Sequence, residues 1–485
     1  MPGRIWPQGP HRRHPQGPLC AALCGDSRRP LIRGAWLAAN TCTVQGVLSG
    51  PPANPAVHWF VLIGPGGNSR ESKEHAMGHL MQRRELLKTA AWALACSTPG
   101  MGKLLAEVPM QSIARGSNQF GWELLRQLDG KGNTFVSPTS IAAALGMTAL
   151  GARGETLEEM ARVLHVPAGT PDLDAGWKEL IDALRADKPG RQVKLANRLF
   201  GQKGFAFLPT FTDRLASAFA APMEVVDYSN PEGARDRING WVEDNTNQLI
   251  KNLIPSGVLT PLTRLVLANA IHFKGDWLLP FTKGATRPGQ FQVTAGKSIT
   301  LPLMQQTGNF RLREDASAEA LEMLCKGNDR SVLFIVPKQK HGLGALEKKL
   351  TPQTLDTLLA DKVPAQRVEL VLPRFEVNTA LSLKQSLAAL GMPKAFANGA
   401  NFTGMSEQDK TLKIDEVVHK AVLKVDEQGA EAAAATGVIV GVRSMAVPRQ
   451  VRRFVVDQPF LVAIRDLPSG ALLFLGRVTE PKEKA

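Results

Sequence analysis

From Ser117 onward the chain switches repeatedly between two hydrophobic periods. SNQFGWELLRQL sets Phe120, Leu124, Leu125 and Leu128 at helical spacing. TFVSPTS then ends a short strand at Val136-Ser137-Pro138. Pro138 sits where a helix can begin, and Ile141 to Leu150 form an apolar helix that Gly151 closes. Thr156-Leu157-Glu158-Glu159 reads as a helix start with acids in its first turn. VKLANRLFG and LTRLVLANAIHFKGDW read as strands, and FLPTFTDRLASAFA and ARDRINGWVEDNTNQLIKNLI as helices. Further on, RSVLFIVPK, RVELVLPRFEV, FVVDQPFLVAIRD and PSGALLFLGRV read as strands, with LSLKQSLAALGM as the helix among them. No internal repeat is visible. The pattern predicts a mixed α+β fold with several antiparallel strands.

One stretch refuses both periods. GAEAAAATGVIVGVRS, from Gly429 to Ser444, begins with Ala432, Ala433, Ala434 and Ala435, which favour helix. Val438, Ile439, Val440 and Val442 favour strand. Gly429, Gly437 and Gly441 weaken both, and no proline forbids strand pairing. A small-residue loop or a buried helix is the plain interpretation.

Composition sharpens the division of the chain. At 485 residues the length alone suggests about three domains, and 44% hydrophobic with 21% charged residues suits a globular core. Half of the net charge of +14 falls in the first 107 residues, which hold twelve Lys/Arg against five Asp/Glu. The basicity of the rest is modest and unclustered, so nucleic acid is not an expected partner. Cys20, Cys24, Cys42 and Cys96 precede the body, and Cys325 alone lies within it, so no internal disulfide staples the fold.

Residues 1–80 are rich in Pro, Gly, Arg and His without periodicity, which reads as a disordered or misassigned extension. Cys20 and Cys24 near His11 and His14 match no closed zinc spacing, and no metal or cofactor is expected. MQRRELLKTAAWALACS, from Met81, resembles the twin-arginine export signal of bacteria through Arg83-Arg84 and the short apolar run behind them. Residues 81–107 are therefore expected to be an export region. Cleavage would fall after Ala106 or near Ala95-Cys96, and a mature chain beginning at Cys96 would be a lipoprotein. The run is too short for a permanent span. The expected location is periplasmic or extracellular, with 108–485 as the folded body.

VSPTSIAAALGM, LGARGETLEEMARVL, ANRLF, INGWVEDNTNQLI, LVLANAIHFKGDW, ELVLPRFEV, NFTGMS, VVHKAVLKVDEQGAEAAAAT, DQPFLVAIRD and LLFLGRV occur in this order. With them the chain from about Ser117 to Pro481 resembles the serpin family throughout. The resemblance implies one large domain of three β-sheets and eight or nine helices, in place of three domains. It also implies a function. The undecided stretch becomes an exposed bait loop that a protease attacks and that then inserts as a strand into the central sheet, stored strain being released in the process.

The residues can be tested against that expectation. Strand alternation puts Ala430, Ala432, Ala434 and Thr436 on one face and Glu431, Ala433 and Ala435 on the other, with Gly429 as pivot. At about 1 kcal/mol per added hydrogen bond, a dozen residues give on the order of 10 kcal/mol, comparable to the stability of a whole domain. The native form would then be metastable. Ala430 stands where the family commonly has Thr or Ser. Family spacing counted from the hinge residue Glu427 lands on Arg443, so the cut is expected at Arg443-Ser444. Val442-Arg443 and Ser444-Met445 stay open, because Ser444 to Phe460 is slightly long. A cation before the cut suits trypsin-like proteases.

By the same resemblance Ser137, Ser140, Asn269 and His419 form a polar cluster beneath the parting strands. Trp277 marks the top of the sheet, and Arg374 pairs with Glu427. Lys178, Arg185, Lys188, Arg191 and Lys194 read as a solvated basic face or as a stripe for a polyanion. The expected protein is a monomeric inhibitor forming a covalent complex with its protease, and not an enzyme. A non-inhibitory carrier or chaperone on the same scaffold is the alternative, disfavoured by the small-residue hinge. A hydrolase using Ser444 or His419 lacks a G-x-S-x-G elbow and paired carboxylates.

Overall fold

The computed structural model describes residues 109–128, 130, 132–166, 173–186, 191–351, 357–358, 363–407, 412–430 and 451–482. All lie in one compact unit, Ala95–Ala485. The extension, the export region, Cys20, Cys24, Cys42, Cys96, Lys188, Glu431 to Thr436 and the Arg443-Ser444 bond lie outside the described residues.

The chain opens with α1 (Pro109–Gln127) and β1 (Thr134–Val136). Then α2 (Pro138–Ala149) starts as its sequence predicts: Pro138 occupies the first turn and the Ser137 side chain accepts a hydrogen bond from the Ser140 N–H. Next come α3 (Gly154–Val163), α4 (Leu173–Arg185), β2 (Arg191–Gln202), α5 (Pro209–Phe219), β3 (Glu224–Val226), α6 (Pro231–Asn245) and β4 (Leu265–Asp276). The middle of the chain supplies β5 (Arg287–Thr294), β6 (Lys297–Glu314), β7 (Ala318–Leu324), β8 (Arg330–Pro337) and α7 (Leu343–Lys349). It continues with β9 (Gln366–Pro373), β10 (Phe375–Ser382), α8 (Lys384–Leu390), β11 (Glu416–Val425) and β12 (Gly429–Ala430). Three strands finish it: β13 (Arg452–Val455), β14 (Phe460–Asp466) and β15 (Leu472–Val478). Eight α-helices stand among the described residues.

Three sheets form, two of them joined through β6. One runs β1-β15-β14-β8-β7 to the last residues of β6, and the remainder of β6 pairs with β5 and with β9, which carries β13 in parallel. The third, central sheet has the order β10-β11-β12-β4-β2-β3. Its two faces are buried differently. Val193, Leu199, Leu267, Ile271, Phe273, Leu423 and Val425 join the main core, which α2, α4 and α5 help to form. On the opposite face Ala196, Phe200, Ala268, Ala270 and Val418 pack with Ile238, Trp241 and Val242 of α6. A sheet covered on both sides reads as a nearly continuous apolar run, which is why LVLANAI shows no alternation.

Two expectations change. ARDRINGWVEDNTNQLIKNLI does not stay helical to its end: α6 stops at Asn245, and Asn247, Gln248 and Asn252 take left-handed backbone. Ile250, Leu253 and Ile254 instead fold back beneath α6 onto the sheet, so tertiary burial overrides helix propensity. The basic stripe is also not continuous. Lys178 is paired with Asp182 at 2.5 Å, and the Arg185 guanidinium donates to the Ala220 carbonyl. Lys194 lies on the other face of β2, beside Ala196 and away from α4, because Val193 and Leu195 take the side that α4 covers.

Candidate functional site

The site lies where β4 and β11 meet. The two strands are parallel and directly paired from Glu416↔Val266 to Val422↔His272. Above that last rung they part. In the gap stands β12, antiparallel to both: Ala430 is opposite Gly275 and Val425, and Gly429 is opposite Asp276. The chain thus places the first two residues of a new strand inside an otherwise closed sheet. Ala430 is fully buried. Gly429 is required by close approach, since a Cβ there would lie 2.3 Å from the Gly275 carbonyl oxygen.

Trp277 packs at this opening and is fully buried. Its indole N–H donates to the Asp426 carbonyl at 2.9 Å, and its backbone N–H to the Gln428 carbonyl at 2.8 Å. The residue is both core and hinge anchor. Glu427 is held from three sides. Its carbonyl accepts from the Phe281 N–H at 2.8 Å. One carboxylate oxygen accepts from the Thr286 hydroxyl at 2.8 Å and lies 3.5 Å from Arg374. The Arg374 side chain is 37% exposed and that of Glu427 only 5%. A buried charge without an opposite partner is costly, and a lysine at 427 would face the Arg374 cation. Glu427→Lys is therefore expected to speed polymerisation or loss of activity on warming, leaving the initial association rate with protease unchanged. Adding Arg374→Glu should recover much of the difference. Size-exclusion chromatography after timed heating checks this, and identical rates in parent and single variant would reduce Glu427 to a packing residue.

Lower on the same seam, Asn269 and His419 are register partners on β4 and β11. The His419 Nε2 accepts from the Ser137 backbone N–H at 3.2 Å, so its Nδ1–H donates to the Asn269 side-chain oxygen. Asn269 Nδ2 donates to the Ser140 hydroxyl and to the Asn197 side-chain oxygen, both at 2.7 Å. Ser140 in turn donates to Asn197, whose Nδ2 returns to the Ser140 carbonyl at 3.1 Å. The four predicted residues are brought together, and Asn197 completes them. Its signal in the sequence was a lone polar residue on the inward face of a core strand, between Leu195 and Leu199.

This network needs a neutral imidazole, and burial holds His419 down at about 3. An unfolded histidine takes its proton near 6.5. The stabilisation is therefore complete above about pH 6.5 and is lost as pH falls from there toward 3. His419→Gln should remove this component. The pH dependence of unfolding free energy should become shallower by about 1.4 kcal/mol per pH unit in that window, read from urea unfolding of both proteins. Parallel curves would place the titration elsewhere.

Past the loop, Arg452 anchors the return strand β13. It reaches Glu314 with both terminal nitrogens, at 2.9 and 2.7 Å, and Glu319 at 2.6 Å. The Arg452 guanidinium, with Lys338, keeps the Glu314 carboxyl down at about 2. The chain is thus held in a sheet just before residue 431, by β12, and just after residue 451, by β13. Among the described residues no cluster of His, Cys, Asp and Glu could hold a metal, and no helix is long and apolar enough to cross a membrane.

Known proteins share this arrangement of chain. The family model described as serpin (serine protease inhibitor) matches residues 115–481. A leukocyte elastase inhibitor from Bos taurus is 36% identical over 383 residues, 77% of this chain and 100% of the relative. Serpin B4 of Homo sapiens is 35% identical over 393 residues, with the same coverage of both chains. The solved structure of Serpin48, from the insect Tenebrio molitor, superposes with a TM-score of 0.69 at 30% identity, covering 78% of this chain and 100% of its own. The family model, the relatives and the superposed fold agree, and the chain belongs to the serpin family.

Proposed function

We propose that this chain is a suicide-substrate inhibitor of trypsin-like serine proteases and has no turnover of its own. The protease cleaves Arg443-Ser444, with Val442-Arg443 and Ser444-Met445 as neighbouring choices. The segment from Glu431 then runs down between β4 and β11 while the protease serine is still esterified to it. The observation that carries this reading is β12, which is already antiparallel to both flanking strands.

Continuing its register predicts the inserted partners. Ala432 would come level with Phe273 and Leu423, Ala434 with Ile271 and Ala421, and Thr436 with Asn269 and His419. All six partners are buried, so the small residues would meet the core face. Glu431 would come level with Lys274 and Lys424 on the opposite face. Insertion exchanges one parallel ladder, Glu416–Val422 with Val266–His272, for two antiparallel ones. Antiparallel pairing is slightly the stronger per residue. The net gain is about one ladder, on the order of 10 kcal/mol, so the uncleaved form would be metastable. Incubating the full chain with trypsin, chymotrypsin and elastase, followed by denaturing gels, tests the reading. A covalent adduct is expected with trypsin, and full digestion of the loop with no adduct would overturn it.

The working form is proposed to be a monomer exported by the bacterial twin-arginine route, with residues 1 to about 106 removed or with Cys96 lipidated. Arg83→Lys with Arg84→Lys should trap the precursor in the cytoplasm. N-terminal sequencing of secreted material checks this, and a secreted chain still starting near Met1 would contradict it.

A further inference from the structure

The folded body contains two Asn-Gly steps, Asn239-Gly240 and Asn398-Gly399. Asparagine is a thermolabile residue, because the backbone nitrogen that follows it can attack its side-chain carbonyl. Glycine in second place removes the side chain that would obstruct the attack. The fold treats the two steps in opposite ways. Asn239 lies inside α6 and is buried. Its Nδ2 donates to the Ile254 carbonyl at 3.0 Å, and its Oδ1 accepts from the Ile254 N–H at 2.8 Å. The Gly240 N–H sits in the helix interior, where it is committed to a carbonyl of the preceding turn. Electrophile and nucleophile are both tied down.

Asn398 and Gly399 stand exposed in the turn that follows the short 3₁₀ segment Pro393–Phe396. The Ala400 N–H donates to the Ala397 carbonyl at 3.2 Å, and Gly399 has a φ of 101°. Left-handed backbone at the third position makes this a type II turn. Among the described residues nothing bonds to the Gly399 N–H or to the Asn398 carbonyl. A Cβ at Gly399 would meet nothing within 4 Å. The peptide between the two residues is therefore held by neither of its own polar groups. Flipping it exchanges one turn type for another and carries the Gly399 nitrogen toward the Asn398 side chain. Lys413 stands at the electrophile, its ammonium donating to the Asn398 Oδ1 at 2.7 Å. An ammonium has only donors, so the amide oxygen is the atom that faces it. A cation at that oxygen draws electrons from Cγ and stabilises the negative charge that develops on attack.

We propose that Asn398-Gly399 is a self-modification site, where the folded chain converts its own asparagine to aspartate and isoaspartate with help from Lys413. The Gly399 nitrogen bonds to Cγ of Asn398. The Cγ–Nδ2 bond breaks, and Nδ2 leaves as ammonia with the proton that the backbone nitrogen gives up. Water then opens the cyclic imide. Opening between Cγ and the nitrogen gives aspartate. Opening between the backbone carbonyl carbon and the nitrogen gives isoaspartate, whose main chain runs through Cγ. No oxidant or reductant takes part. In both products a carboxylate replaces the amide beside Lys413, and isoaspartate also lengthens the turn by one carbon. The lengthening stays local, because the chain is fixed on both sides. The Ala395 carbonyl accepts from the Ile414 N–H at 2.9 Å, and the Asn401 N–H donates to the Thr156 hydroxyl at 2.9 Å. The aged chain becomes a substrate for a methyltransferase that recognises isoaspartyl carboxylates. The site stands on this turn alone and is independent of the inhibitor reading.

The test ages the uncleaved full chain at physiological temperature. Timed samples are digested at mildly acid pH, and the two Asn-Gly peptides are followed by mass spectrometry. Asn398 should give way to the two acid products, resolved as separate chromatographic forms, while Asn239 keeps its amide. The rate should rise with pH, because the attacking nitrogen must lose its proton. In the urea-unfolded chain both steps should convert alike, so folding should spare Asn239 and leave Asn398 at least as fast as when unfolded. Aged chain should accept labelled methyl groups from an isoaspartyl methyltransferase, and Asn398→Ala should remove most of that labelling. Lys413→Met should slow conversion of the folded chain several-fold without changing the unfolded rate, and Lys413→Arg should restore most of it. An Asn398 that folding protects as well as it protects Asn239 would overturn the site. Conversion of folded Lys413→Met at the parent rate would overturn the part given to the lysine.

Discussion

Ala432→Arg is expected to leave the native fold intact and to convert the chain from an inhibitor into a substrate. By strand alternation Ala432 would be the next inward-facing residue after Ala430, the last residue of β12. In the inserted strand it would lie between Phe273 and Leu423, each 2% exposed. A guanidinium there would be buried among apolar side chains with no carboxylate at its level, and an unpaired buried charge costs several kcal/mol. That cost falls only on the inserted state, so the uncleaved protein should keep its thermal midpoint. Insertion would slow, the ester to the protease would hydrolyse first, and each inhibitor would be consumed without trapping enzyme. We expect the number of inhibitor molecules consumed per trapped protease to rise from near one to more than about ten, since a few kcal/mol on one branch of a partition shifts it by orders of magnitude. Titration of residual trypsin activity against inhibitor gives that number. Unchanged stoichiometry would mean that Ala432 faces solvent, and that the register extrapolated from Ala430↔Gly275 and Ala430↔Val425 is not the one the loop follows.

Arg443→Leu should act on the other half of the process, recognition. The side chain before the cut is read by the protease, and a cation there is matched to a pocket with a buried acid. Leucine leaves that acid unpaired. We expect the association rate with trypsin to fall by about a hundredfold or more, in line with discrimination by a site built for a charged group. Covalent complex should appear with chymotrypsin- or elastase-type enzymes, and the rate of insertion should be unchanged because Arg443 lies beyond the segment that enters the seam. A variant that keeps its rate with trypsin would move the cut to one of the neighbouring bonds. Mass spectrometry of the released C-terminal peptide identifies which.

The two changes separate commitments that one chain must make. Glu427 and Trp277 fix the chain that leads into β12. The polar network across the seam, from Ser137 through His419 and Asn269 to Ser140 and Asn197, gives β4 and β11 a definite closed state. A buried network of this kind is stable only while all its members are satisfied, and separating the strands breaks the Asn269–His419 contact together with one of the links that Ser137 and Ser140 make to them. By the extended register Thr436 arrives at that level, bringing a hydroxyl that can both donate and accept.

Much of this was legible without coordinates. Helical spacing in SNQFGWELLRQL, the Ser137-Pro138 start of α2 and the strand character of RSVLFIVPK depend on residues a few positions apart, and local propensity and capping decide them. The small residues after Gly429 suggest a segment suited to two conformations, a reading that beyond Ala430 lies outside the described residues. The resemblance carried the topology, and with it Ser137, Ser140, Asn269, His419, Trp277 and Arg374.

Other features depended on which distant strands become neighbours. Nothing within INGWVEDNTNQLI announces that the helix stops at Asn245. The stop follows from Ile250, Leu253 and Ile254 finding burial against β2 and β4. Asn197 looked like one polar residue in an apolar strand until β2 came beside β4 at Asn269. Periodicity assigns each side chain to a face of its own strand. Which strand lies alongside is settled by non-local pairing, where the cost of closing long loops is met by burial of the whole sheet, and that information resides in no single stretch of the chain.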